Sequence, residues 1–424
     1  MPSTQSTTAS QPIESPLWLL YVILAGLGMV GPFATDTIFP AFQQLEGALG
    51  VDAVALQQLI SVYVMAFAAM SLFHGPLSDA IGRKPVILGG TLLFVLASIG
   101  CALAPSLSWL LVGRALQGFS AGAGQILSRA MVRDLFSDDR AQKVMSTIAM
   151  IFGLAPAVAP IVGGWLLYVG DWRAIFWFLA GYGVLLALAV WLWLPETNPP
   201  EHRTPLRVGP LFQGLWSIAA NPDGRRLAFA GMFNFAGMWL YIASASLFVV
   251  GLLGKGEQDF WMLFVPMISG MVLGSWVAGR LAGRMTGRRL ATLGFLVSLV
   301  GATINLALAL FPATARLPWS VAMLPVYSFG IALAFPILTL AMLDLFPHNR
   351  GAASSVQSFV SLTANAIIAG ALVPLIAVSL WGLALGSLTL TAIAWLFWAR
   401  HLQVTHVQPV APADPQAYEP TEEL

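Results

Sequence analysis

Apolar residues along this chain come in long runs separated by short polar breaks. The runs fall at about 17–40, 53–76, 85–104, 107–131, 144–168, 173–194, 226–252, 260–283, 290–311, 317–343, 351–376 and 380–399. At a rise of 1.5 Å per residue, about 20 residues carry a helix across a hydrocarbon layer roughly 30 Å thick, so each run predicts one membrane-spanning helix. The pattern predicts an all-α membrane protein with 12 transmembrane helices. Composition agrees: 58% of the 424 residues are apolar and 9% are charged, against about 25% charged in an ordinary soluble domain.

The longest polar interruption, 195–225, is rich in proline and charge and splits the spans six and six. The expected organisation is a disordered cytoplasmic tail (1–16), an N-terminal six-helix half (17–194), a cytoplasmic linker (195–225), a C-terminal six-helix half (226–400) and a second cytoplasmic tail (401–424). The first 16 residues lack the basic region and cleavage signature of a secretory leader. Short basic loops stay on the cytoplasmic side. With the N-terminus inside, 16 of the 20 Lys and Arg fall in inner loops, among them Arg83, Lys84, Arg129, Arg133, Arg140, Lys143, Arg207, Arg288 and Arg289, and only Arg173, Lys255 and Arg316 fall outside. Two parallel six-helix halves around a central cleft are a secondary-transporter architecture. A short echo supports pseudo-symmetric halves: Gly82-Arg83-Lys84 recurs as Gly287-Arg288-Arg289 about 205 residues later.

The net charge is +1 and no run of Lys or Arg tracks a phosphate backbone, so nucleic acid is not an expected partner. Cys101 is the single cysteine and cannot form an internal disulfide; His74, His202, His348, His401 and His406 form no cluster, so no metal site is expected. Charges that remain inside the apolar layer are costly and mark function. Asp36 lies in span 1 about 6 Å from its outer end, and Arg114, the remaining cation, lies in span 4 at a depth of about 10 Å, so the two can face one another. A carboxylate in a desolvated cleft beside a guanidinium has opposing influences on its proton affinity, which is the physics of a proton-coupled carrier.

Three motifs sharpen this reading. Between spans 2 and 3 the sequence Gly75-Pro76-Leu77-Ser78-Asp79-Ala80-Ile81-Gly82-Arg83-Lys84-Pro85 reads as a loop and resembles the signature of the major facilitator superfamily, with Ala80 where that family has arginine. Span 4 carries Arg114-Ala115-Leu116-Gln117-Gly118, and span 5 carries Gly153, Pro156, Pro160, Gly163 and Gly164, with Ala159 in place of a usual glycine. Both resemble motifs of that family's drug/proton antiporters with 12 spans. The runs Ala34–Pro40, Ser128–Leu135 and Trp172–Trp177 resemble the bicyclomycin/chloramphenicol-resistance branch, although no second acidic residue precedes Asp36 in span 1. The resemblance covers about residues 17–400.

The resemblance implies proton-coupled efflux of small, mostly apolar drugs across the bacterial inner membrane by alternating access. Arg114 is implied in proton transfer with Asp36. Gly75, Asp79, Gly82, Arg83 and Lys84 are implied as a conformational latch that stabilises the outward-open state, with Gln117 and Gly118 in the span 4 motif. Pro156, Pro160, Gly163 and Gly164 are read as a bent, closely packed pivot. Phe33, Asp36, Tyr63, Gln125, Asn234, Trp239 and Tyr241, with Asn305 and Asn365, are candidates for an apolar cleft with a few polar anchors. The expected partners are a small-molecule cargo, protons and the lipid bilayer, with a monomeric chain and no cofactor beyond the proton gradient. An importer or exporter of a small metabolite on the same fold is the alternative.

Two further motifs lead elsewhere. Gly26-Leu27-Gly28-Met29-Val30-Gly31 has the spacing of a dinucleotide fingerprint but lies inside an apolar span, without the strand–turn–helix that motif needs. Gly118-Phe119-Ser120-Ala121-Gly122 has the spacing of a serine nucleophile elbow, which raises an intramembrane hydrolase. Ser120 is near mid-span, and the nearest histidine, His74, is at the cytoplasmic edge of span 2, so a non-enzyme is expected.

Overall fold

A computed structural model of the chain describes residues 16–136, 138–205, 208–282, 284–347 and 349–407; within 138–143 and 145–153 the description is of helical backbone only. The expected tails up to residue 15 and from residue 408, together with Arg207 and His348, lie outside the described residues.

Six long helices come first: α1 (Leu17–Asp36), then a short α2 (Phe42–Leu49), α3 (Ala53–Ile81), α4 (Arg83–Ala102), α5 (Leu107–Leu135), α6 (Asp138–Val169) and α7 (Arg173–Trp193). A short helix α8 (Val208–Ala220) leads into α9 (Pro222–Ala243), α10 (Trp261–Leu281) and α11 (Gly287–Leu310). After a one-turn α12 (Trp319–Ala322) come α13 (Leu324–Leu345), α14 (Arg350–Ile367), a one-turn α15 (Val373–Ile376) and α16 (Leu380–Val407). Two π-helical segments, Leu247–Leu252 and Ile368–Leu372, follow α9 and α14.

By length and composition, nine of the described helical segments suit a bilayer crossing. Two long helices outside that set, α5 and α9, are diluted by polar or charged residues: Arg114, Gln117 and Gln125 in α5, and Asp223, Arg225 and Arg226 in α9; the fully described part of α6, Leu154–Val169, is apolar. The surface carries large exposed apolar side chains in number, Trp18, Trp165 and Trp191 among them, as a lipid-facing wall requires.

Local sequence sets the ends. The Asp52 carboxylate accepts from the Ala55 amide at 2.8 Å and starts α3, Asn221 caps α9 with Pro222 in its first turn, and Thr286 caps α11, each supplying an acceptor that the first turn lacks. Gly50, at φ 63°, stops α2. Span 1 was expected to reach Pro40; α1 ends at Asp36, and Phe39–Ala41 forms a separate 3-10 turn around that proline. The 195–225 segment, read as a linker between the halves, contains α8, whose Phe212 ring packs edge-on against Phe73 of α3 at 6.1 Å.

Packing forms two groups. In the first, α1 lies against α5, α6 and α7, and α4 against α5 and α7; in the second, α13 lies against α9, α10 and α11, and α16 against α9 and α11. The groups meet where α3 packs on α14 and α6 on α10. Thus the second long helix of each group meets the fifth of the other, the reciprocal pairing that a twofold pseudo-symmetry axis imposes.

Without a hydrophobic drive between helices in lipid, close backbone approach is a main source of cohesion, and small residues permit it. At Gly118 of α5 an added Cβ would overlap the Tyr63 carbonyl oxygen of α3, whereas at Gly89 of α4 it would meet nothing within 4 Å. Gly118→Ala is therefore expected to cost about 1–3 kcal/mol by forcing α3 and α5 apart, and Gly89→Ala to change stability by less than about 0.5 kcal/mol. Thermal unfolding of both variants in the same detergent checks this; equal melting temperatures would refute the close-contact account.

Candidate functional site

Asp36 closes α1 and is only 3% exposed, and Arg114 of α5 is fully buried. A buried guanidinium must spend its donors on something. Nε donates to the Leu59 carbonyl of α3 at 3.1 Å, and Nη1 donates to the Ala34 carbonyl of α1 at 2.7 Å and to Gln117 Oε1 at 2.9 Å. The guanidinium also lies over the Tyr63 ring, 4.4 Å from its centroid. Gln117 passes the link on, its amide donating to Ser98 Oγ of α4 at 2.8 Å. One cation thus fastens α5 to α1, α3 and α4.

Sequence reasoning set Asp36 opposite Arg114, and the structure brings them into electrostatic reach of one another. It does not join them: no ion pair within 4.0 Å links the two, Arg114 Nη2 is unpartnered, and so is Asp36 Oδ1. The polar neighbours are Thr35, whose hydroxyl donates to the Gly31 carbonyl at 2.9 Å, and Tyr63, whose hydroxyl reaches the same carbonyl at 3.4 Å. Gln125 belongs to this neighbourhood: its unpartnered Oε1 is 2.8 Å from where a Cβ of Gly31 would be. Phe33 is turned the other way, stacked on Tyr182 and against Phe178 of α7 with centroids 5.7 and 6.0 Å away.

The remaining cleft candidates form a separate group in the second half. Asn234 is fully buried and donates weakly to the Ile331 carbonyl at 3.4 Å, leaving Oδ1 unpartnered. Trp239 Nε1 donates to the Asn365 carbonyl at 2.8 Å, tying α9 to α14. Tyr241 accepts from the Asn305 amide at 2.7 Å. Most of these side chains are engaged in joining helices, and Asn234 and Gln125 keep an unused acceptor.

The signature segment is not a loop. Residues 75–81 continue α3, and the turn into α4 is Gly82 alone, at φ 108°, a value that disfavours any side chain. Gly75 meets nothing within 4 Å of an added Cβ. Arg83 Nη1 pairs with Asp79 at 2.6 Å and also contacts Ser78 Oγ, while its Nε reaches Asp134 of α5 at 3.4 Å. Lys84 Nζ donates to the Trp191 carbonyl of α7 at 2.9 Å.

Sequence reasoning missed Glu196. Its carboxylate accepts from the Arg83 amide at 2.9 Å and the Lys84 amide at 3.1 Å, and its Oε2 is 2.6 Å from a hypothetical Gly82 Cβ. It therefore caps α4 from the end of neighbouring α7 and fills the space that glycine leaves. Asn198 adds two bonds from its amide, to the Ser78 and Asp79 carbonyls at 3.2 and 3.0 Å. The available signal was the acid at the start of the polar break after span 6.

In α6, Pro156 and Pro160 are helical interior residues. An added Cβ at Gly163 would overlap the Thr37 carbonyl oxygen just past Asp36, and one at Gly164 would crowd the Glu257 carbonyl before α10. The paired glycines thus lock α6 against both groups at the end opposite Gly82; Gly153 lies where only backbone is described. At that same end Gln44 donates to both Glu257 oxygens at 3.4 Å, Gln58 to the Gly370 carbonyl at 2.9 Å and Ser61 to the Ala366 carbonyl at 2.9 Å, each joining the first group to the second. None of these four polar residues was singled out from sequence.

The two discarded motifs resolve as packing. Gly26 and Gly31 lie inside α1, against Leu186 and Gln125. Ser120 Oγ donates to the Gln117 carbonyl at 2.9 Å, a local helix bond with no base attached.

Comparison with known proteins follows the same line. The chain matches the sequence profile of the Major Facilitator Superfamily over residues 23–374. It is 32% identical over 267 residues to a bicyclomycin resistance protein homolog of Haemophilus influenzae, covering 63% of this chain and 67% of that one. It is 30% identical over 344 residues to a chloramphenicol resistance protein of Pseudomonas aeruginosa, covering 79% and 77%, and 27% identical over 353 residues to multidrug resistance protein D of Escherichia coli, covering 80% and 84%. Among solved structures, a bacterial homolog of the human lysosomal transporter Spinster, inward-facing and occupied, superposes with a TM-score of 0.72 at 15% identity, covering 95% of this chain and 100% of that one. The D-xylose–proton symporter gives 0.69 at 14%, covering 90% and 97%. Reciprocal six-helix groups, a one-glycine signature turn and this agreement over most of the chain define a multi-pass membrane transporter of small molecules rather than an enzyme, and the chain belongs to the Major Facilitator Superfamily.

Proposed function

We propose that this chain exports small, mostly apolar drugs of the chloramphenicol or bicyclomycin kind in exchange for protons, working as a monomer by alternating access. The observation that carries the reading is Asp36: a nearly inaccessible carboxylate with an oxygen lacking a partner, beside a guanidinium whose bonds go to backbone carbonyls rather than to it. A carboxylate so placed exchanges a proton at low structural cost, because neither protonation state breaks an ion pair. Protonation changes its charge inside the bundle, and cargo that favours one charge state shifts the balance between conformations. The names of the relatives support drug efflux as the direction.

In this reading the membrane is the bacterial inner membrane, both termini and the Gly82 end face the cytoplasm, and the proton gradient serves in place of a cofactor. The bonded Gln44, Gln58 and Ser61 end is then the outer gate, closed, so the conformation described is inward-facing. The Arg83–Asp79–Asp134 cluster with Glu196 is formed in this inward-facing conformation, so it acts as a latch within the first group that holds the cytoplasmic ends of α3, α4 and α5 together, and not as a tie made only in the outward-open state. Cargo would meet apolar walls with single acceptors at Gln125 and Asn234.

Inverted membrane vesicles test the central claim. Adding a chloramphenicol-type drug to energised vesicles is expected to dissipate the pH gradient with wild type and not with Asp36→Asn at equal folded amounts; a variant that still couples drug to protons would remove Asp36 from the mechanism. If wild type responds to no drug, a metabolite is the cargo, and proteoliposome uptake of metabolites identifies it. Asp79→Asn and Glu196→Gln are expected to lower turnover several-fold while leaving cargo affinity near wild type. Transport kinetics read both quantities, and loss of affinity alone would contradict the latch.

A further inference from the structure

The two copies of the Gly-basic-basic echo are treated differently by the fold. In the first, Arg83 is met by Asp79 and Asp134, and the amides of Arg83 and Lys84 by Glu196. In the second, the whole stretch 260–343 contains Arg280, Arg284, Arg288, Arg289 and Arg316 and not one carboxylate. Among the described residues no carboxylate comes within ion-pair distance of Arg288 or Arg289, both of which are exposed. The acid of neighbouring α9, Asp223, is taken by Arg226 at 2.5 Å, and Asp344 at the end of α13 forms no ion pair among the described residues.

The two arginines line an open, shallow surface cleft of about 340 Å³ together with Thr292, Leu293 and Leu296 of α11 and Leu402 of α16. Its wall is fixed, because Trp398 of α16 is buried against Phe295 and donates to Thr292 Oγ1 at 3.2 Å. Residues 289, 293, 296 and 300 fall on one face of α11, and Leu293, Leu296 and Val300 are exposed, so a track of apolar surface runs from the arginines toward the middle of the span. α11 packs on α13 and α16 within its own group and not on α1–α7, which leaves this face to the bilayer. Arg280, stacked over Trp276 at 3.9 Å, is an aromatic–cation pair of the sort found at headgroup depth.

We propose that this cleft between the start of α11 and the end of α16 binds an anionic phospholipid, its phosphate held by Arg288 and Arg289 and one acyl chain laid along Leu293 and Leu296. Two guanidiniums without an ion-pair partner among the described residues, over an apolar track, match a phosphate joined to a hydrocarbon chain, and neither cargo of low charge nor free phosphate matches both parts. The site is independent of Asp36 and of drug efflux; it rests only on the chain lying in a bilayer.

Delipidated full-length protein in neutral detergent, titrated with phosphatidylglycerol or phosphatidylethanolamine and read by native mass spectrometry and thermal unfolding, tests the proposal. Wild type is expected to retain phosphatidylglycerol preferentially and to melt several degrees higher with it. Arg288→Gln/Arg289→Gln is expected to lose roughly tenfold or more in that binding, since each basic residue near an anionic surface contributes comparably. Leu296→Trp, which keeps both charges and fills the track, is expected to lose it too. Arg225→Gln/Arg350→Gln, which removes two exposed charges elsewhere, is expected to bind as wild type does. Undiminished binding by the Arg288/Arg289 variant, equal loss in the Arg225/Arg350 variant, or the same melting shift with glycerol 3-phosphate would each overturn the assignment.

Discussion

A guanidinium sealed inside an apolar helix bundle must find acceptors or the bundle does not form, and Arg114 finds them on the main chain of two other helices. The Leu59 carbonyl lies inside α3 and offers Arg114 a spare lone pair, while the Ala34 carbonyl lies in the last turn of α1, where no further turn supplies a donor, so the guanidinium caps that helix end. The consequence is a cation that holds α1, α3 and α5 in register without consuming a carboxylate. That leaves Asp36 close by and under-bonded, a state the surrounding structure tolerates because the tie does not depend on it. The same economy explains why Gln117 faces inward: it completes the guanidinium's coordination and extends the tie to α4.

Much of this was legible in the sequence. Each apolar run overlaps one long helix, with ends that differ by up to about nine residues, because in lipid the length of an apolar run and the length of a helix answer to one thickness. Asp36 and Arg114 stood out because charge there is rare and costly. What escaped depended on contacts between distant segments. Glu196 caps a helix more than a hundred residues earlier in the chain, and nothing local in the residues around it encodes that. The signature segment read as a loop because glycine and proline usually break helices; Pro76 is instead accommodated within α3, as prolines are in spans whose freed carbonyls find other partners. Helix α8 was hidden by the prolines and charges on either side of it.

Polar contact is distributed unevenly between the two ends of the bundle. At the Gly82 end, charged residues bond mainly within the first group, among α3, α4, α5 and the segment after α7. At the opposite end, uncharged amides and a hydroxyl reach between groups, mostly onto backbone carbonyls. Bonds of the first kind stiffen one group as a body; bonds of the second kind are individually modest and can be exchanged for water. The chemistry is thus sorted by place: charged ties inside the first group at one end, and uncharged, exchangeable ones between the groups at the other.

The one-residue turn at Gly82 has a mechanical meaning. Helices α3 and α4 are joined by a single non-helical residue, whereas α10 and α11 are separated by the segment from Ala282 to Thr286. A joint one residue long has no slack, so a tilt of α3 is delivered to α4 undamped, like torque through a rigid elbow. The corresponding joint in the other half spans the five residues 282–286. The pseudo-repeats are therefore alike in shape and unlike at this hinge, and the shorter hinge belongs to the half that contains Asp36.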